Sequence, residues 1–203
     1  DSGSTDNTLN YCKDYDVSIY HNEWKNYSTQ FNWALKNISF KYTYVLRIDA
    51  DECIDNLSVF KKFLKDINAS NSAEGYLINR SMFFLGKKIN FGGLFPIPML
   101  RIFKHSHGIC EERWMDEHII VKGNVKKTNI SLIDNNLNDL NWWLKKHIDY
   151  SDREAFDVVF NDRNHSKSFS DLSGQKENKN KRYLKINVFT NLPFFIGPSL
   201  YFI

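Results

Sequence analysis

Cysteine is scarce in this chain, and what there is forms no framework. Cys12, Cys53 and Cys110 are widely spaced and make no Cys-x-x-Cys pair. An odd count without paired spacing excludes a disulfide scaffold and predicts a reducing, cytosolic compartment. The sequons at Asn26 and Asn37 carry little weight in so asparagine-rich a sequence. A large charge of one sign is also missing. The net charge is +3 over 203 residues, so nothing in the charge calls for a nucleic-acid partner, and none is expected. There is no initiator Met, no signal peptide and no internal repeat. No apolar run reaches the roughly 20 residues that span a bilayer. The final run, Leu192 to Ile203, is short and contains Gly197 and Pro198. The chain opens on Asp1-Ser2-Gly3-Ser4, which reads as the loop after a strand, and it stops inside that apolar run. The expectation is a fragment lacking its first strand.

What is present is an alternating pattern. Ser4-Thr5-Asp6 caps a short helix to about Asp14, and Asp16 to Tyr20 reads as a strand. Tyr27 to Asn37 places Phe31, Ala34 and Leu35 on one helix face, followed by an apolar strand from Tyr42 to Ile48. Asn56-Leu57-Ser58 opens a second amphipathic helix with Phe60, Phe63, Leu64 and Ile67 on one side. Helices alternating with strands predict a parallel α/β sheet. The middle differs: Gly75 to Leu85, Lys88 to Phe91, Met99 to Lys104 and His118 to Val121 read as strands joined by short turns. Gly92-Gly93 and Pro96-Ile97-Pro98 predict a loop over a site. Asn138 to Asp162 is helical in pattern. A polar stretch, Ser166 to Asn180, reads as a mobile loop. The basic segment Lys176 to Lys185 is either a solvated face or, with Phe189, Phe194, Phe195, Tyr201 and Phe202, a surface for anionic lipid.

The densest chemical signal is Tyr44-Val-Leu-Arg-Ile-Asp49-Ala-Asp51-Glu52, an apolar strand that ends in three carboxylates. Alternate carboxylates suit a hard divalent cation that also holds phosphate oxygens. Strand ends of this kind are where open α/β sheets bind ligands. Clustered acids repel unless a cation sits among them. A hydrolase with a nucleophilic aspartate also uses Asp-x-Asp at a strand end, but Glu52-Cys53 and the helix–strand units before it speak against that reading. The second cluster runs from Glu111 to His118 and contains Trp114, Asp116 and Glu117, the composition of a general base or a metal ligand set. The opening DSGSTDNT places Asp1 and Ser2 before a glycine turn and a helix start, which suits an anion or a nucleobase. His105, His107 and Cys110 lack a fourth ligand for zinc.

Taken in order, DSGSTDNT, Asn32-Trp-Ala-Leu35, VLRIDADE and WMDEH resemble the family-2 glycosyltransferases of the GT-A fold. The nearest likeness is to bacterial enzymes of surface-polysaccharide assembly, including the colanic-acid type, whose basic Lys-Arg-Tyr-Leu-Lys segment also runs into Leu-Pro-Phe-Phe. The resemblance implies an α/β, Rossmann-like GT-A fold with a mixed sheet and a helical C-terminal extension. It divides the chain into a catalytic domain, residues 1–135, and an extension, residues 136–203.

It further implies an inverting sugar transfer from a nucleotide-diphosphate sugar to a glycan or lipid-linked acceptor, in the cytoplasm or on the inner face of the cytoplasmic membrane. Asp1 and Ser2 match the nucleotide side. Asp49 and Asp51 match the element that holds Mn2+ or Mg2+, with His118 as a further metal ligand. Asp116 matches the catalytic base, with Glu117 as the alternative. A binding module without turnover, a remnant of such a transferase, is the rival.

Overall fold

The computed structural model describes residues 1–70, 72–91, 97–112, 117–160, 192, 193 and 196. In chain order its elements are α1 (Thr8–Cys12), α2 (Tyr27–Asn37), β1 (Tyr44–Leu46), β2 (Glu52–Ile54), α3 (Leu57–Ser70), β3 (Gly75–Phe84), β4 (Lys87–Lys88), β5 (Ile97–Lys104), β6 (Gly108–Cys110), β7 (Ile119–Val121), β8 (Val125–Asn135) and α4 (Leu140–Phe160). The three longer helices begin where a side chain can accept a free backbone N–H. Asn26 Oδ1 accepts from the Thr29 N–H at 2.8 Å, Asn56 Oδ1 from Val59 at 3.1 Å, and Asp139 Oδ1 from Trp142 at 2.8 Å.

The main sheet has six strands in the order β1-β5-β3-β8-β2, with β4 paired to the end of β3. β6 and β7 form a separate hairpin. The helix–strand alternation predicts parallel pairing, but β1 runs antiparallel to β5, β3 to β5, and β2 to β8. The parallel pair among the described strands is β3 with β8. The predicted strand Asp16–Tyr20 is not a strand, and Val17 and Ile19 are exposed. Its one ladder-like link is to Asp1, whose nitrogen donates to Tyr20 O at 2.7 Å while the Asn22 N–H donates to Asp1 O at 3.0 Å. That is the bonding of one residue in a parallel ladder. The result is a mixed α/β fold with a mixed sheet and a helical C-terminal element, the architecture expected of a GT-A-like chain.

Alternate residues of β3 serve opposite faces of the sheet. Tyr76 and Ile78 join Ile102, Ile130 and Leu132 under Phe60 and Ile67 of α3. Leu77 joins Leu100, Phe103, Ile119 and Val121, with Phe31 and Leu35 of α2 packed against them. The sheet is therefore covered on both faces.

The pairing of β3 with β5 is irregular at one point. Tyr76 stands opposite Ile102, but Leu77 stands opposite Leu100, so β5 carries one extra residue, Arg101. This is a β-bulge, a device that bends a strand and re-aims a side chain. It sends Ile102 and Leu100, two positions apart, to opposite faces of the sheet.

The strand β8, the longest in the sheet, is absent from the sequence-based strand assignments, as are β2 and β6. Lys and Asn dilute the strand propensity of β8. Its signal is the alternation of Ile130, Leu132 and Asp134, all of which are buried. The helix α4 begins two residues later than predicted and touches the sheet where Trp143 meets Phe84, ring centroids 5.4 Å apart. Among the described residues no helix is long and apolar enough to cross a membrane. The predicted polar loop 166–180 and the basic segment 176–185 lie outside the described residues.

Candidate active site

The three acids that end the β1 strand run are not equivalent. Glu52 turns inward, its side chain only 2% exposed. Its Oε1 lies 2.5 Å from Arg101 Nη2, and its Oε2 accepts the Asp49 N–H at 3.0 Å. The Glu52 N–H in turn donates to Asp49 O at 3.0 Å, so the two residues close a reciprocal ring. Burial, the largest influence, pushes the Glu52 carboxyl above its usual range against the pull of Arg101 and Arg80.

Asp49 is half exposed and sits between two guanidinium groups. Arg101 Nη2 is 3.2 Å from its Oδ2, and Arg47 Nε is 3.7 Å from its Oδ1. Asp51 is exposed; its carboxylate accepts from Asn136 Nδ2 at 3.2 Å, and its carbonyl accepts the Asn135 N–H at 3.2 Å. A third arginine, Arg80, forks onto Asp134 Oδ2 and stands 4.0 Å from Glu52. Much of the cation that the sequence demanded for this cluster is thus supplied by Arg47, Arg80 and Arg101.

Those arginines escaped the sequence reading. Their signal was available: a charged residue inside an otherwise apolar strand, in Val45-Leu46-Arg47-Ile48 and in Met99-Leu100-Arg101-Ile102. A strand position that buries its side chain takes a charge only where a partner waits for it.

The second cluster is brought alongside the first. Glu111 and His118 stand at the base of the β6–β7 hairpin, in which Cys110 pairs with Ile119. The stem is closed twice, by the Glu111 N–H to His118 O at 2.9 Å and by the His118 N–H to Glu111 Oε2 at 3.2 Å. Asn32 of α2 grips the strand before it: its Nδ2 donates to Cys110 O, and its Oδ1 accepts the Cys110 N–H, each at 2.8 Å. The Asn-Trp-Ala-Leu word therefore has a mechanical role, since a side-chain amide there substitutes for a neighbouring strand.

Arg47 then joins the clusters. Its Nη2 is 3.5 Å from Glu117 Oε1, and its guanidinium lies over the Phe31 ring at 5.3 Å. A small cavity, about 20 Å3, is lined by Arg47, Arg101, Glu117 and His118. Asp116, Trp114 and most of the loop between Phe91 and Pro98 lie outside the described residues.

The expected metal ligand His118 stands at the base of the β6–β7 hairpin. Its Nδ1 is buried without a hydrogen-bond partner and stands 3.6 Å from Glu111 Oε2. Among the described residues no group of three or more His, Cys, Asp or Glu side chains is gathered to hold a metal ion. Two accessible carboxylates at a strand end nevertheless fit Mn2+ or Mg2+, because such ions are commonly held by one or two carboxylates together with phosphate and water.

At the start of the chain, the Asp1 carboxylate is spent on its own turn. It accepts the Gly3 N–H at 2.9 Å and the Ser4 hydroxyl at 2.5 Å, and His21 Nδ1 lies 3.7 Å away. Gly3 adopts φ +99°, a conformation that favours glycine. Ser2 is exposed at the tip of this turn.

Residues 1–115 match the family model described as Glycosyl transferase family 2. No curated protein matches the chain.

Proposed function

The chain belongs to glycosyltransferase family 2, and from that premise we propose an inverting, metal-dependent transferase of the hexosyl type. It moves a sugar from a nucleoside-diphosphate donor to an acceptor hydroxyl in the synthesis of a cell-surface polysaccharide. The acceptor is a growing glycan or a lipid-linked sugar. Residues 1–135 carry the chemistry. Residues 136–203 are an extension that opens with α4 and makes peripheral contact with the inner face of the cytoplasmic membrane.

The observation that supports this reading most is the link through Arg47. One guanidinium stands between Asp49, at the candidate donor end, and Glu117, next to the candidate base. An enzyme that brings a diphosphate and an acceptor hydroxyl together needs such a junction.

In this mechanism Asp1 and Ser2 face the nucleotide. Asp49 and Asp51 would hold a divalent cation, which would supply the positive charge that the departing diphosphate requires. Asp116 accepts the proton of the acceptor hydroxyl as its oxygen attacks the anomeric carbon from the face opposite the diphosphate. Glu117, tied to Arg47, holds the loop that carries Asp116 and is the second candidate for the base. The loop from Phe91 to Pro98 borders the acceptor.

Two variants test the assignment. Asp116→Asn should abolish transfer and leave nucleotide binding intact; loss of both would move Asp116 into the metal site. Asp51→Ala should remove metal-dependent nucleotide binding, and unchanged binding would contradict the metal assignment.

A further inference from the structure

Arg101 is the extra residue of the β5 bulge, and its side chain is 4% exposed. A strand without the bulge would keep Leu100 and Ile102 on one face and give Arg101 the other. With it, the guanidinium lies under the acidic turn, and its Nη2 serves two carboxylates, Glu52 Oε1 at 2.5 Å and Asp49 Oδ2 at 3.2 Å. The backbone adds a third tie, because the Arg47 N–H donates to Arg101 O at 2.9 Å. Glu52 completes the arrangement by holding the Asp49 main chain from both sides. Burying a guanidinium and a carboxylate is expensive, and here neither is needed to fill the apolar core. The Arg101 Nε remains buried without a hydrogen-bond partner, a further cost accepted at this position.

We propose that Arg101 and Glu52 are positioning residues of the donor site. They fix the Asp49 carboxylate and the turn to Asp51 in the orientation that receives the metal-bound diphosphate. The proposal rests on the reading of Asp49 and Asp51 as the metal element, and it adds two residues that touch neither metal nor substrate. Supporting groups of this kind govern metal affinity by orienting the ligands.

The test keeps charge constant and changes geometry. Arg101→Lys preserves the cation but shortens its reach. Glu52→Asp preserves the anion but withdraws it from Arg101 and from the Asp49 N–H. Mn2+ binding would be titrated by electron paramagnetic resonance with UDP or GDP present, on the full chain, well below each variant's melting temperature. Both variants should bind Mn2+ about 10-fold more weakly or worse. A role confined to charge balance or folding would leave the affinity of the folded protein at the wild-type value, and that result would overturn the proposal.

If Arg101→Lys does not fold, Glu52→Asp decides by the same criterion. Asp51→Asn separates the levels of the argument. If it loses Mn2+ binding while the charge-preserving variants keep it, the positioning role alone is wrong. If Asp51→Asn binds Mn2+ normally, the metal reading falls and the positioning role falls with it.

Discussion

Arg101 and Glu52 form an ion pair under the acidic turn, with Nη2 2.5 Å from Oε1 and side chains 4% and 2% exposed. The sequence shows three acids at a strand end; the structure turns one of them, Glu52, into an anchor for Asp49. Removing one partner of such a pair leaves an uncompensated buried charge. Arg101→Met should therefore lower stability by roughly 3 kcal/mol. Adding Glu52→Gln should recover part of that loss. Urea denaturation of the single and double variants checks both expectations; equal losses would show that the pair is not coupled.

Gly108 opens β6 directly against the fully buried Phe103 ring, and a Cβ at this position would overlap the ring atoms. The ring has nowhere to go, since it packs between α2 and β7. Gly108→Ala should cost about 1–3 kcal/mol through overpacking. A melting temperature equal to that of the wild type would mean that the hairpin shifts freely, contrary to its anchoring by Asn32.

Cys110 is buried, and burial pushes its thiol up to about 11 despite the opposing pull of Arg47. The thiolate is the reactive form. At pH 8 iodoacetamide should modify exposed Cys53 readily and reach Cys110 only after denaturation. Peptide mapping of the alkylated native protein distinguishes these sites. Rapid native labelling of Cys110 would contradict its packing beside Asn32 and Arg47.

Glu74 ties the start of β3 to the turn before β8. Its Oε2 accepts the Asn124 N–H at 2.7 Å, and Lys104 Nζ lies 3.3 Å from Oε1. The Asn124 bond, followed by Lys104, holds its carboxyl below the ordinary 4.5. A depressed carboxyl contributes stability above its unfolded value and loses it as pH falls through the folded value. Glu74→Gln should thus be less stable than wild type at pH 7, with the gap closing below about pH 4. Denaturant midpoints at pH 7 and pH 3 measure it, and a gap that persists or widens in acid would reverse the sign.

Much of this architecture was legible because local signals were strong. α2 falls where the spacing of Phe31, Ala34 and Leu35 predicts it, and α3 where Phe60, Phe63, Leu64 and Ile67 do. Pairing was harder to read. Nothing in Asp16–Tyr20 reveals that it stays outside the sheet, and the direction of β1 depends on β5, more than 50 residues away. The acidic turn was visible as a word, but its partners were not. Arg101 reaches Glu52 only because β5 carries an extra residue, and a bulge is a property of two strands in register.

The most direct measurement is a screen of nucleoside-diphosphate sugars with Mn2+ or Mg2+, following nucleotide release and the anomeric configuration of the product by NMR. The account predicts acceptor-dependent release from a donor with inversion at the anomeric carbon, abolished in Asp116→Asn. Donor binding without turnover would indicate a binding module. Retention of configuration, or phosphate release from small phosphoesters in place of transfer, would contradict the mechanism.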